Sequence, residues 1–323
     1  MTRIWTPVKL PLGNKSYLQD VTVYLIKRRD GYILLDAGLN TDEAFSSMGE
    51  AFSRIGCNPQ DIRDIYITHY HLDHCGLATR LKDLSAASIY MTKEDKEILD
   101  FLKAYLHEYP EKMGEFFGSF GVPQTTIDYL KKELASYKQL LIGPDRIHFI
   151  SDGEKIETAT GQLEVVSTPG HTPGHISFLL PKKRILFGGD FILRDEFPHV
   201  GIYPHTIKYN PLKDYLKTLE KVKGMEISMI LPSHGEPIYD PGRRIDDVTG
   251  FIRHKIEDVL RLLKKGPLTL SQVCDQGFRS YDSGLSLSYF FILTLSLAYL
   301  RYLEEENLIV QKTTKSGVVF TCR

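Results

Sequence analysis

The hydrophobic pattern changes period several times along the chain, and each change predicts an element. Val21 to Lys27 and Tyr32 to Asp36 are apolar and β-branched, with the polar turn Asp30-Gly31 between them, which predicts two paired strands. From Thr41-Asp42-Glu43 the spacing becomes helical and amphipathic to about Ile55. Asp64 to Thr68 reads as a buried strand, Gly76 to Asp83 as a short helix and Ser88 to Met91 as another strand. From about residue 93 to 141 the pattern turns helical and aromatic, with Phe101, Tyr105, Tyr109, Phe116, Phe117, Phe120, Tyr129 and Tyr137. This insertion is expected to pack on the core, with a few of its rings forming a cap.

Strands are predicted again at Arg146–Ile150, Leu163–Ser167, Ile176–Pro181, Arg184–Phe187 and Glu226–Leu231, with a helix from Pro211 to about Val222 before the last. After Asp240-Pro241-Gly242 the order becomes helix (Ile245 to Lys264), helix (Leu270 to Gln276), long helix (Leu285 to Glu306) and two short strands, Ile309–Lys312 and Gly317–Cys322. A boundary near residue 243 therefore separates an α+β domain, 1–243, from a smaller helical domain, 244–323, whose element order is winged-helix-like.

Composition narrows the classes. The 323 residues are 42% hydrophobic and 25% charged, ordinary for a globular protein, and a net charge of −1 gives no general pull toward nucleic acid or membrane. Cys57, Cys75, Cys274 and Cys322 form no CxxC pair, which argues against a disulfide framework or a thiolate metal site. No signal-like or bilayer-length apolar run is visible, so the expectation is a cytoplasmic protein without a membrane partner.

Chemistry concentrates where predicted strands end. His69-Tyr70-His71-Leu72-Asp73-His74 follows the strand ending at Thr68 and packs four candidate metal ligands into six residues. Histidines two apart can face one point, and the Asp-His pair after them a second point nearby. Thr168-Pro169-Gly170-His171-Thr172-Pro173-Gly174-His175 follows another strand, and its Pro and Gly residues shape a tight loop. Phe187-Gly188-Gly189-Asp190 ends a third, and Leu231-Pro232-Ser233-His234-Gly235 a fourth. His199, Tyr203 and His205 follow Asp190 on a predicted loop, so Tyr203 or His205 is a candidate proton donor or substrate holder. His175 opens the next strand and is expected to be structural, and Cys75 to be a small packed residue.

This series of motifs resembles the metallo-β-lactamase superfamily over roughly residues 1 to 240. The resemblance implies an αββα sandwich, two sheets flanked by helices. It also implies two divalent ions, with Zn expected and Fe or Mn as alternatives: His69, His71 and His171 on one, Asp73, His74 and His234 on the other, and Asp190 between them. Asp36 matches the family's early aspartate, which orients the ligand loop. His71 stands where flavodiiron oxidoreductases place a glutamate, and Asp190 where the true zinc β-lactamases place a cysteine, so neither of those activities is implied.

The implied activity is hydrolysis of a small ester-like substrate, a thioester or a lactone, by a hydroxide that two ions share and that Asp73 and Asp190 orient. A single-strand endoribonuclease of the lactamase-beta-like type is the alternative, because relatives with such a C-terminal tail exist. A mononuclear iron oxygenase is a third. The tail carries only scattered Lys264, Lys265, Arg279, Lys312, Lys315 and Arg323, with Glu304-Glu305-Glu306 near the predicted wing, so nucleic acid is not the favoured partner. The apolar helix from Leu285 points to burial against the catalytic domain or to a homodimer.

Overall fold

Alternating burial sorts the strand residues into two sheets. Strands β1 (Trp5–Pro11), β2 (Asp20–Arg28), β3 (Gly31–Leu35), β4 (Ile62–Tyr66), β5 (Ser88–Met91) and β6 (His148–Phe149) pair in chain order. The first three form an antiparallel meander, and β3 to β6 run parallel. The second sheet contains β7 (Lys155–Thr158), β8 (Gly161–Ser167), β9 (Ile176–Leu180), β10 (Ile185–Gly189) and β11 (Met229–Pro232). Its order is β11-β10-β9-β8-β7, antiparallel except for the β10–β11 pair. This computed structural model describes residues 5–13, 19–135, 143–278, 288–314 and 317–323. Tyr137, Arg279, Leu285 and Lys315, which figure in the sequence reading, lie outside the described residues.

Parallel neighbours need a crossover, and helices supply it. The helix α1 (Asp42–Arg54) links β3 to β4, and α2 (Leu72–Cys75) with α3 (Ala78–Ser85) links β4 to β5. The helix α4 (Lys93–Ala104) follows β5. At the start of α1 the Thr41 hydroxyl accepts from the Ala44 amide at 3.1 Å, and Asp42 and Glu43 sit in its first turn, where negative charge complements the helix dipole.

The core between the sheets follows from the two-residue period. Tyr24 and Ile26, Ile33 and Leu35, and Tyr66 project from the first sheet onto Leu163 and Val165, Ile176 and Phe178, and Ile185 and Phe187 of the second. The Tyr24 and Phe187 rings meet edge to face with centroids 5.1 Å apart. Alternate residues such as Val23, Leu25 and Leu34 are buried too. Strands covered on both faces explain the nearly unbroken apolar runs.

Contacts divide the chain into two compact units. The first comprises residues 1–103, 139–198 and 221–244 and contains both sheets. The second comprises 104–138, 199–220 and 245–323. It contains α5 (Tyr109–Ser119), α6 (Gln124–Ala135), most of α7 (Pro211–Lys223) and of α8 (Pro241–Leu263), α9 (Leu270–Gly277), α10 (Ser288–Glu305) and the hairpin β12 (Ile309–Thr314) with β13 (Gly317–Cys322). Rings from the insertion pack here: Phe117 against Phe290 at 6.1 Å and Phe120 against Phe320 at 6.5 Å. A capping box between Thr269 and Gln272 starts α9. A bridge from Leu268 to Phe320 lays one more extended residue on the hairpin. No described helix is long and apolar enough to cross a membrane.

The structure differs from the pattern reading in three places. Strand β1 is an addition: Pro7 and Pro11 interrupt its signal, and both are tolerated because β1 is an edge strand. Strand β7 is a second addition, since it alternates exposed Lys155 and Glu157 with buried Ile156 and Thr158 and so lacks an apolar run. A helical turn, α2, lies inside the ligand motif itself, ahead of the predicted short helix, which spans Ala78–Ser85.

Candidate metal centre

All the ligand-bearing segments leave the carboxyl ends of strands, where an α/β sheet presents its loops. Asp36 follows β3, the histidine-rich segment follows β4, His171 follows β8, Asp190 follows β10 and His234 follows β11. The turn α2 explains how one motif serves two points. His69 lies in the bend after β4, and His71 is the extended N-cap of α2. Asp73 and His74 lie on the helical turn, Asp73 converging with His74 and His234, and His74 also with His69 and Asp190.

One group is a triangle of imidazole nitrogens. His69 Nε2 lies 2.9 Å from His71 Nδ1 and 3.2 Å from His171 Nε2, and the last two are 3.0 Å apart. The second group is Asp73, His74 and His234: Asp73 Oδ2 is 3.6 Å from His74 Nε2 and 3.4 Å from His234 Nε2. Asp190 reaches both. Its Oδ2 is 3.6 Å from His171 Nε2 and 3.5 Å from His74 Nε2, while its Oδ1 is 3.5 Å from His234 Nε2.

Hydrogen bonds behind these rings fix which nitrogen faces inward. Asp36, held at φ 59° in the left-handed region, accepts the Thr68 amide at 2.8 Å and the Thr68 hydroxyl at 2.9 Å, and its Oδ2 lies 2.8 Å from His74 Nδ1. Thr68 Oγ1 in turn lies 3.0 Å from His69 Nδ1. His234 Nδ1 lies 2.8 Å from the Asp20 carbonyl oxygen, so it must donate. Each arrangement leaves Nε2 as the inward lone pair, the usual role of carboxylate and carbonyl partners behind metal-binding histidines. His175 faces away from the ligand atoms. Its Nε2 accepts the Asp190 amide at 3.1 Å and its Nδ1 lies 2.8 Å from Thr168 Oγ1, which positions the Asp190 backbone. Gly189 beside it has φ 54°, and a Cβ there would stand 2.7 Å from His175 Nε2, so only glycine fits.

A divalent cation fits this donor set. His74 Nε2, His234 Nε2 and Asp190 Oδ1 are buried and have no hydrogen-bond partner, a costly state for polar atoms that a cation removes. For a metal–nitrogen distance of about 2.0–2.1 Å, a tetrahedral edge is roughly 3.3 Å, close to the sides of the histidine triangle. The electrostatics agree. Burial, then the neighbouring imidazoles, hold His69 and His71 well below the usual histidine range, so they are neutral lone-pair donors. Burial opposes protonation of His74 and His234 as well, but Asp190 and Asp73 outweigh it and raise both, His234 to about 10. That end of the site demands positive charge, which a metal ion supplies.

This gathering of histidines and aspartates at strand ends, on two face-to-face sheets, matches one family over residues 17–234. The chain belongs to the metallo-beta-lactamase superfamily. It is 28% identical over 314 residues, 93% of each chain, to a probable metallo-hydrolase, YqjP, of Bacillus subtilis. It is 30% identical over 164 residues to hydroxyacylglutathione hydrolase GloC of Haemophilus influenzae, covering 48% of this chain and 65% of that protein. Among solved structures, a metallo-beta-lactamase family protein from Thermus thermophilus superposes with a TM-score of 0.82 at 26% identity, over 99% of both chains. With such relatives, this chain is a metallo-hydrolase of that superfamily.

The remaining candidates lie in the second unit. Tyr203 and His205 stack at 5.5 Å with ring planes 9° apart, Tyr109 lies 6.1 Å from His205, and Phe290 lies 5.9 Å from Tyr203. Burial lowers His205 to about 4. His199 Nε2 lies 3.1 Å from the Thr294 hydroxyl on α10.

Sequence reasoning missed Asp95. It sits in the first turn of α4, fully buried, and accepts hydrogen bonds from the Tyr70 amide at 2.9 Å, the Thr172 hydroxyl at 2.7 Å and the Gly174 amide at 2.7 Å. In Thr92-Lys93-Glu94-Asp95 it looks like an ordinary acidic residue opening a helix. Only its burial reveals otherwise.

Proposed function

We propose that the protein is a dinuclear metal-dependent hydrolase of ester-like bonds, a thioester or a lactone. One observation carries this reading: the Asp190 carboxylate stands between two ligand groups, one oxygen toward His171 and His74 and the other toward His234. A residue so placed suits a pair of ions, with His69, His71 and His171 on one and Asp73, His74 and His234 on the other. Zn suits five imidazoles and two carboxylates, and Fe or Mn accepts the same donors. Bound divalent ions supply Lewis acidity, which polarises the scissile carbonyl and acidifies water near neutral pH.

The protein's own groups do the rest. Asp73 and Asp190 are proposed to hold and orient the attacking water by accepting its hydrogen bonds. The bonds from Asp36 and the Asp20 carbonyl keep the His74 and His234 rings from turning as charge develops. Tyr203 is proposed to donate a proton to the leaving group or to hold substrate, and His205, which burial keeps neutral, to hold substrate. The thioester preference draws support from GloC, whose name describes hydrolysis of hydroxyacylglutathione. The C-terminal elements, read as winged-helix-like, are proposed to serve packing, a pocket wall or a homodimer. Arg301 lies 3.6 Å from Glu304 and 3.5 Å from Glu305, which leaves little basic face for nucleic acid.

The test is metal quantification on purified protein, coupled to thioester, lactone, phosphodiester and single-stranded RNA substrates before and after chelation. Ester turnover that chelation abolishes and divalent ions restore is the expected result. Cleavage of RNA without ester turnover, or turnover that chelation leaves untouched, would overturn the proposal.

A further inference from the structure

We propose that Asp95 is a positioning residue: it ties together the two loops that carry His69, His71 and His171, and so sets the cation affinity of that end of the centre without meeting the ion. The proposal rests on the metal-centre reading above and extends it to a residue outside every converging ligand group.

The geometry is that of a clamp. Asp95 Oδ2 accepts the amide of Tyr70, the residue between His69 and His71, and the hydroxyl of Thr172, the residue after His171. Its Oδ1 accepts the Gly174 amide three residues past His171. One carboxylate thus fixes two loops about a hundred residues apart in the chain, and both of its oxygens are engaged. Thr92 adds a fourth bond by donating its hydroxyl to the Gly174 carbonyl at 2.8 Å. A Cβ at Gly174 would meet the Thr92 hydroxyl and stand 2.7 Å from the Asp95 carboxylate, so the loop has closed as far as glycine permits.

The other end of the centre hangs on different supports. His74 is held directly by Asp36 and His234 by the Asp20 carbonyl, and Asp36 reaches the first end only indirectly, through Thr68 to His69. Loosening Asp95 therefore releases one end and spares the other.

The experiment reads metal binding alone. Wild type, Asp95→Asn and Asp36→Asn are stripped of metal and titrated with Co2+ and Zn2+ against a chromophoric chelator, with the Co2+ visible spectrum recorded at each equivalent. In Asp95→Asn an amide must replace one accepting oxygen and face a donor. One of two equivalents is expected to weaken about 10–100-fold, the range for partners behind metal ligands, while the other stays near wild type. Asp36 holds His74 directly and His69 through Thr68, so Asp36→Asn should weaken both equivalents, the His74 one most. Equal weakening of both equivalents by Asp95→Asn, no weakening, or the same pattern as Asp36→Asn would overturn the proposal. Thr172→Val and Thr172→Ser carry the test if Asp95→Asn does not fold. The valine should weaken the same equivalent and the serine should restore it; indistinguishable affinities would also count against the clamp. No substrate enters the assay, so its failure is separate from failure of the ester reading.

Discussion

The two ends of the centre handle the same ring in opposite ways. At the His69–His71–His171 end, burial and the crowding of imidazoles keep His69 and His71 neutral, ready to share lone pairs. At the Asp73–His74–His234 end the same burial is overcome by Asp190 and Asp73, which draw positive charge in. A buried histidine is thus not one kind of group. Its charge depends on which carboxylates face it, and Asp190 belongs to both ends.

The largest effect should come from removing what the two ends share. Asp190→Ala should lower ester turnover by about three decades, since several kcal/mol of transition-state stabilisation depend on the intact pair. Circular dichroism should show an unchanged fold, and activity within tenfold of wild type would dissolve the idea of a shared carboxylate. A smaller effect should come from Asp36→Ala, which strips His74 of its direct support and His69 of its support through Thr68. Turnover should fall about 10–100-fold. Stability should drop by roughly 1–3 kcal/mol in denaturant unfolding, because His74 Nδ1 and the Thr68 amide lose a buried acceptor. Loss of turnover with unchanged stability would mean that Asp36 is not holding the rings mechanically.

The smallest effect calibrates the comparison with a histidine shifted by burial. Burial lowers His205 to about 4 from an ordinary 6.5. A group depressed in the folded state stabilises above the unfolded value, and that contribution is lost as pH falls from about 6.5 toward 4. The ceiling is about 3 kcal/mol, from roughly 2.5 units at 1.36 kcal/mol each. His205→Gln should therefore flatten the acid limb of a stability-versus-pH curve in that window. An unchanged slope would show that burial alone does not govern this ring.

Much of the centre was legible because its chemistry is clustered in sequence. Four ligands within His69–His74, and glycine or proline beside His171, Asp190 and His234, are visible to the eye. The sandwich was legible where strands are buried on both faces, as at β2 and β3. Three things were hidden for physical reasons. The two prolines of β1 mask a strand that only an edge position allows. The helical turn at Leu72–Cys75 is too short to leave a period. Asp95 has the local context of a solvated helix start, and its role depends entirely on partners distant in the chain, Thr172 and Gly174.

Asp36 has a consequence for assembly. Beyond Thr68 and His74 on its own sheet, its Oδ2 takes the hydroxyl of Ser233, 3.3 Å away at the end of β11 on the opposite sheet. A single side chain thus stitches segments separated by almost two hundred positions, so the His74 ring has its full support only in the docked sandwich. Cation uptake should consequently be a late event during refolding, a clasp that closes on an already docked sandwich. Free ion added to the refolding buffer should slow unfolding far more than it hastens folding.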